Sequence, residues 1–417
     1  MSPAEIAAIV LVPFVAWRIV RAILAYRGDC APETRKDALR HFSPEDIDRG
    51  RAETRAYVIP GLARAILELA FLWALIFLSL ARGLEGLAES ASSILPLQVA
   101  CFVAIYTGLH IVVFAPLDVY SGFILGRRFG TLKQKFRQWL LFHAKGAVVG
   151  YVLSWGVFCV FLFLVRSRPG FWWVIVGAAL TLFAILLTFL HPIVFAPIFY
   201  RFSRLEEGEL RDLLLELCRK AGVKAKDVFI QHESKVSTSS NAYFTGIGRS
   251  KRIVLFDNLL AGHSPDEIAV VVAHEAGHWS GRHVLVGIGL SAVSIFAGSF
   301  LLFCLFRLEG ADEFFGTSIG RLSALPSVVL LAALGSAFVA PCVAAVSRLL
   351  ERRADAAALQ LTGNPDAFVS THVKLARDNR ADLLPHPLLV RLYASHPTAL
   401  QRIRFAAREA DSQSPRQ

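Results

Sequence analysis

The sequence predicts a mainly α fold: a bundle of seven membrane-crossing helices with a polar α+β region built onto one side. Three observations carry this. Of the 417 residues, 55% are apolar and 18% charged, and mean hydropathy is positive, whereas a water-soluble domain of this length carries more charge. Apolar stretches near the twenty residues that a helix needs to cross the hydrocarbon core occur at about 5–25, 58–81, 95–125, 144–165, 171–199, 284–306 and 323–348. A long polar interval, 200–283, mixes helical and strand patterns.

The first stretch carries Arg18 and Arg21, lacks a small-residue cleavage site and runs into charged sequence, so it reads as a retained helix. The third and fifth stretches exceed the length of a span and hold Pro116, Pro192 and Pro197 near their ends, which predicts kinks or extensions beyond the bilayer. Basic residues follow the first span (Arg27, Arg35, Lys36, Arg40, Arg49, Arg51, Arg55) and the third (Arg127, Arg128, Lys133, Lys135, Arg137, Lys145), while 83–94, 166–170 and 307–322 hold few. By the positive-inside rule, 26–57, 126–143, 200–283 and 350–417 face the cytoplasm. The chain divides into a membrane region, 1–199, and a second region, 200–417. The net charge of +11 is absorbed by this topology. With no basic stripe joined to exposed aromatics or to a reader motif, nucleic acid is not an expected partner. The six cysteines form no CxxC pair, which argues against a disulfide framework or a cysteine metal site.

Residues 204–222 form a charged, Leu-rich amphipathic pattern, a packing helix. The run Ser240-Asn241-Ala242-Tyr243-Phe244-Thr245-Gly246 is rich in strand formers, breaks at Gly246 to Gly248 and resumes as Arg252-Ile253-Val254-Leu255-Phe256, a β-hairpin within 240–257. A peptide can add to the edge of such a hairpin as another strand, or the hairpin simply packs on the next helix. That helix carries His274-Glu275-Ala276-Gly277-His278. Residues four apart stand one above another on a helix, so both imidazoles can hold one metal ion with Glu275 beside it. A zinc site needs a third protein ligand. Two crossings after His278 return the chain to the same side at Glu351-Arg352-Arg353-Ala354-Asp355, where Glu351 can ligate and Asp355 can accept the outer ring N–H of a ligating histidine. His396, in Ser395-His396-Pro397, and Arg402 are suitable donors for a carbonyl oxyanion. His263, His283, His372 and His386 stay open as further candidates.

Taken together, these residues resemble the integral-membrane zinc endopeptidases typified by the type I CAAX prenyl protease. The likeness runs from about Tyr120 to Arg404, through Arg128-Phe129-Gly130, Pro197-Ile198-Phe199, the 240–246 run, Lys251 to Asp257, the His-Glu-Ala-Gly-His helix, Glu351 to Asp355 and Ser395-His396-Pro397. The resemblance implies seven helices around a chamber, with one zinc ion at its cytoplasmic end. It implies His274, His278 and Glu351 as ligands, Glu275 as base, Asp355 in support, and His396 and Arg402 near the reacting carbonyl. Asn241, Ala242 and Tyr243 would lie on the substrate-binding edge. The implied partners are membrane lipid and a peptide or protein substrate, which in the prenyl-processing members loses its last three residues. Arg far outnumbers Lys and the tail carries no dilysine-type retrieval signal, which fits a bacterial cytoplasmic membrane. Other readings are a quality-control protease with the same site and no prenyl requirement, an intramembrane-cleaving protease, and a seven-helix transporter or receptor with a structural zinc.

Overall fold

The computed structural model describes residues 3–246 and 251–413, with side chains over 11–246 and 251–410. Helix α1 (Pro3–Arg27) covers the first apolar stretch, 5–25; its opening side chains lie outside the described set. Helix α2 (Pro44–Phe77) starts at a capping box, with Ser43 Oγ accepting from Asp46 N and an Asp46 carboxylate oxygen accepting from Ser43 N. The second stretch was expected to run to residue 81. It stops at Phe77, where Leu78 and left-handed Ser79 turn the chain into a separate helix, Leu80–Ala91.

Helix α3 (Leu95–Asp118) passes Pro116 and continues as a π-helical segment, Val119–Leu125. Helix α4 (Phe136–Ser167) precedes α5 (Trp172–Leu190), and around Pro192 α5 likewise becomes a π-helical turn, His191–Phe195. Both extensions follow from proline, which lacks an N–H and so displaces the helical hydrogen-bond ladder.

The second region opens with β1 (Phe202–Arg204), α6 (Glu209–Lys220), β2 (Asp227–Gln231), β3 (Ala242–Thr245) and β4 (Arg252–Phe256). The expected hairpin is present as antiparallel β3 and β4, with Ala242 opposite Leu255; residues 247–250 of its connection lie outside the described residues. The hairpin is half of a four-stranded sheet ordered β1-β2-β4-β3, in which β2 runs parallel to β4 and antiparallel to β1. Strands β1 and β2 lack the immediately flanking glycine break that marks the β3–β4 hairpin in the sequence.

Helix α7 (Pro265–Ser280) is buried between this sheet and its neighbouring helices. Its start is set by a second capping box, Ser264 with Glu267. Leu214 and Leu217 of α6, Ile253 and Leu255 of β4, and Ile268 and Val272 of α7 form the core there. Helix α8 (His283–Leu305) lies against α5, where a Cβ on Gly177 would sit 2.8 Å from the Phe296 ring. Helix α9 (Leu325–Thr362) continues well past the expected end at 348, so Glu351 and Asp355 ride on an unbroken extension of the last apolar stretch. Then follow α10 (Pro365–Asp378), α11 (Pro387–Tyr393) and α12 (Ala399–Gln413).

Six helical segments among the described residues are long and apolar enough to cross a membrane: Pro44–Phe77, Leu95–Arg128, Phe136–Ser167, Trp172–Phe199, His283–Leu305 and Leu322–Thr362. Val112, Leu182 and Phe338 are strongly exposed on them, an arrangement that lipid tolerates and water does not. The polar segments sort into two groups. Arg51 with Asp382, Arg377 with Asp46, Arg404 with Asp37, Lys374 with Glu267, and a bridge between Leu132 and Ser237 tie together 26–57, 126–143, 200–283 and 350–417. Arg321 with Glu85, and Arg166 with the Gly320 carbonyl, join the three connections at the other end. All six cysteines are free, and Cys30 and Cys342 are exposed rather than buried.

Candidate metal centre

Helix α7 presents His274 and His278 one turn apart, with their Nε2 atoms 3.1 Å from each other. Helix α9 brings Glu351 between them, with Oε2 3.4 Å from His274 Nε2 and Oε1 3.3 Å from His278 Nε2. Zinc bound tetrahedrally at about 2.0–2.2 Å from each ligand holds its donor atoms roughly 3.3–3.5 Å apart. Two imidazole nitrogens and one carboxylate at these separations therefore fit that ion.

The approach of the two helices rests on small residues. A Cβ on Gly277 would lie 3.0 Å from Ala357 Cβ and 3.2 Å from Ala354 Cα. The glycine inside the His-Glu-Ala-Gly-His run is thus a point of close contact with α9, next to His278.

The surrounding groups orient the three. His274 Nδ1 lies 2.9 Å from Asp355 Oδ1, and His278 Nδ1 lies 2.8 Å from His283 Nδ1. Arg402, largely buried, bridges Glu351 Oε2 and Asp355 Oδ1. His396, 62% exposed, places Nδ1 2.9 Å from Glu351 Oε2. Burial works against a charged His274, but the Asp355 and Glu351 carboxylates outweigh it and push the imidazole up to about 9. A cation at the same nitrogens competes with that proton. Burial raises the Glu275 carboxyl above its ordinary range, against the opposing pull of His274 and His278; such a group accepts a proton more readily than a solvated carboxylate.

Glu275, His278 and Glu351 open onto a cavity of about 450 Å³. One wall is the edge strand β3, through Tyr243, Phe244, Thr245 and Gly246; the rest includes Phe189, Pro192, Leu290 and Val343. Asn241, exposed, immediately precedes β3, whose first residue, Ala242, is buried.

Of the four further histidines, only His283 joins the centre. His263 is buried beside Asp378. His372, buried against Phe368, lies near enough to feel the charges of Arg402, His274 and Glu351 but makes no hydrogen bond or ion pair with His274, His278 or Glu351 among the described residues. His386 caps α11 by accepting from Leu388 N.

Residues 204–410 match peptidase family M48, and residues 26–201 match the CAAX prenyl protease N-terminal region of five membrane helices. The chain is 31% identical over 360 residues to the uncharacterized metalloprotease YhfN of Bacillus subtilis, covering 82% of this chain and 81% of that protein. The chain belongs to peptidase family M48. Another relative is CAAX prenyl protease 1 of Saccharomyces cerevisiae, 31% identical over 327 residues, covering 73% of this chain and 71% of the yeast protein. The crystal structure of S. mikatae Ste24p superposes with a TM-score of 0.83 at 25% identity, over 95% of this chain and 98% of that one. The apolar helices and the matched membrane region make this a multi-pass membrane metalloprotease of that family, and the His-His-Glu cluster fits the zinc that the family implies.

Proposed function

We propose that this chain is a membrane zinc endopeptidase that removes a C-terminal peptide from a prenylated protein, with one zinc ion held by His274, His278 and Glu351. The observation that carries the reading is the convergence of His274 Nε2, His278 Nε2 and the two oxygens of the Glu351 carboxylate, with neighbouring atoms 3.1–3.4 Å apart, beside a buried Glu275, on a cavity with an edge strand along one wall. Zinc there supplies Lewis acidity, polarising the scissile carbonyl and lowering the pKa of an attacking water.

Glu275 takes the proton from that water and returns it to the leaving amine. His396, exposed beside Glu351, donates to the carbonyl oxygen as negative charge builds there. Arg402 adds positive charge beside it and keeps Glu351 and Asp355 in place, and Asp355 orients His274. A substrate strand pairs with β3 along Asn241, Ala242 and Tyr243, holding an extended backbone across the cavity.

We place the site on the cytoplasmic face of a bacterial membrane, at one end of a chamber within seven helices. Support comes from the contacts that gather the four segments rich in Arg and Lys around the site, and the three connections holding fewer basic residues at the far end. The division between the two regions at 199/200 is supported by the family matches, one of which ends at residue 201 and the other begins at 204.

The test is detergent-purified protein incubated with matched farnesylated and unmodified CAAX peptides, with and without a zinc chelator, products being identified by mass spectrometry. Chelator-sensitive cleavage of the farnesylated peptide alone is expected. Equal cleavage of both assigns instead a quality-control protease indifferent to the prenyl group, and cleavage of neither by zinc-loaded protein refutes the substrate class.

A further inference from the structure

We propose that His283 is a positioning residue for the ligand His278, and that the Gly281-Arg282 turn seats it there; this rests on His278 being a zinc ligand. Three observations point the same way. His283 Nδ1 lies 2.8 Å from His278 Nδ1, with the rings edge to face. A Cβ at Gly281 would fall 2.5 Å from His283 Nε2 and 2.9 Å from its Cδ2, so the imidazole occupies the space that only glycine leaves open. Arg282 is one of three non-glycine residues with positive φ among the described residues, at 53°. An L residue in the left-handed region is strained, and here that turn ends α7 and reverses the chain so that the first side chain of α8 folds back onto His278.

The chemistry assigns the protons. His278 can offer a lone pair at Nε2 only as the tautomer protonated at Nδ1. That N–H then donates to His283 Nδ1, which makes His283 a neutral acceptor with its own proton on Nε2. His283 thereby does for His278 what Asp355 does for His274. It is not a fourth ligand, because it meets the outer nitrogen of His278 rather than the face where Nε2 and Glu351 converge. Such outer partners fix ring orientation and raise ligand basicity, and losing one costs roughly 10–100-fold in metal affinity.

The experiment measures zinc affinity of the full-length detergent-purified chain by competition with a chelating dye, with melting of the metal-free protein alongside. The set is wild type, His283→Ala, His283→Asn, Gly281→Ala and the Gly281→Ala/His283→Ala double. His283→Ala and Gly281→Ala should each weaken zinc by about 10–100-fold while metal-free melting stays at the wild-type value. His283→Asn, whose amide oxygen can accept the same N–H, should recover part of the loss. The double variant should bind close to His283→Ala, since the two nearest of the three atoms that the Gly281 Cβ meets belong to the ring, the third being the Gly277 carbonyl oxygen at 3.0 Å. Wild-type affinity in His283→Ala, a drop in metal-free melting that matches the loss, or additive effects in the double overturns the proposal. Wild-type protein that takes up no zinc overturns the metal assignment, and this proposal with it.

Discussion

Replacing Gly277 by alanine tests whether the closeness of α7 and α9 makes the metal centre. The added Cβ would meet Ala357 Cβ at 3.0 Å, Ala354 Cα at 3.2 Å and the Ala354 carbonyl oxygen at 3.3 Å. Comfortable carbon contacts start at about 3.5 Å, so α9 must retreat by a few tenths of an ångström. Two of the three obstacles are backbone, which leaves no flexible side chain to absorb the shift. In the fold as a whole the cost is small: overpacking of about 1–3 kcal/mol is partly offset by the gain of about 1 kcal/mol for alanine over glycine inside a helix. At the site the same shift matters more, because a metal site tolerates only about 0.2 Å in its ligand distances and Glu351 moves with α9. The expected result is a protein that purifies and melts near wild type without metal, but holds zinc at least tenfold more weakly and cleaves peptide correspondingly slowly. Zinc stoichiometry after graded chelation, paired with melting curves, reads both. Wild-type zinc retention together with full activity in Gly277→Ala would refute the reasoning that close helix contact sets the donor geometry.

Glu275→Gln should keep zinc while turnover drops by about 10²–10⁴-fold, the usual worth of a general base; single-turnover cleavage at wild-type rate would reject the role. Glu351→Ala should lower zinc affinity by more than the roughly 10–100-fold that an outer partner is worth, because it removes a donor and leaves Arg402 facing only Asp355; metal analysis of the purified variant decides it. The capping carboxylate Glu267 predicts a pH dependence. Burial raises it, but Lys374, Ser370 and the Ser264 N–H outweigh that and bring it down to about 2. A folded value below the unfolded one stabilises the protein above the ordinary carboxylate range, and that stability is lost as pH falls from about 4.5 towards 2. With Lys374 39% exposed, solvent screening leaves about 1–2 kcal/mol. The melting difference between wild type and Glu267→Gln should therefore shrink between pH 5 and pH 3, and a constant difference would contradict the account.

By itself the sequence determined whatever depends on local periodicity and composition. Apolar length marks the spans, because a lipid core demands about twenty apolar residues in a helix wherever they occur. A spacing of four puts His274 and His278 on one face of α7, since a helix turns once in 3.6 residues. A run of strand formers broken by glycine marks the β3–β4 hairpin. Glu351 was legible as a ligand only because two crossings return the chain to the same side, an argument from topology rather than distance. Tertiary structure decided the remainder. The length of α9 beyond the bilayer, the short strands β1 and β2 beside the hairpin, and the Gly277 contact all depend on packing between segments far apart in sequence. Arg402 could be read as a cation near the site, but its bridge from Glu351 to Asp355 required α12 to lie against α9. His283 could not be assigned from spacing at all. It stands five residues after His278, off the helical face, and reaches it only because a glycine and a left-handed arginine turn the backbone there.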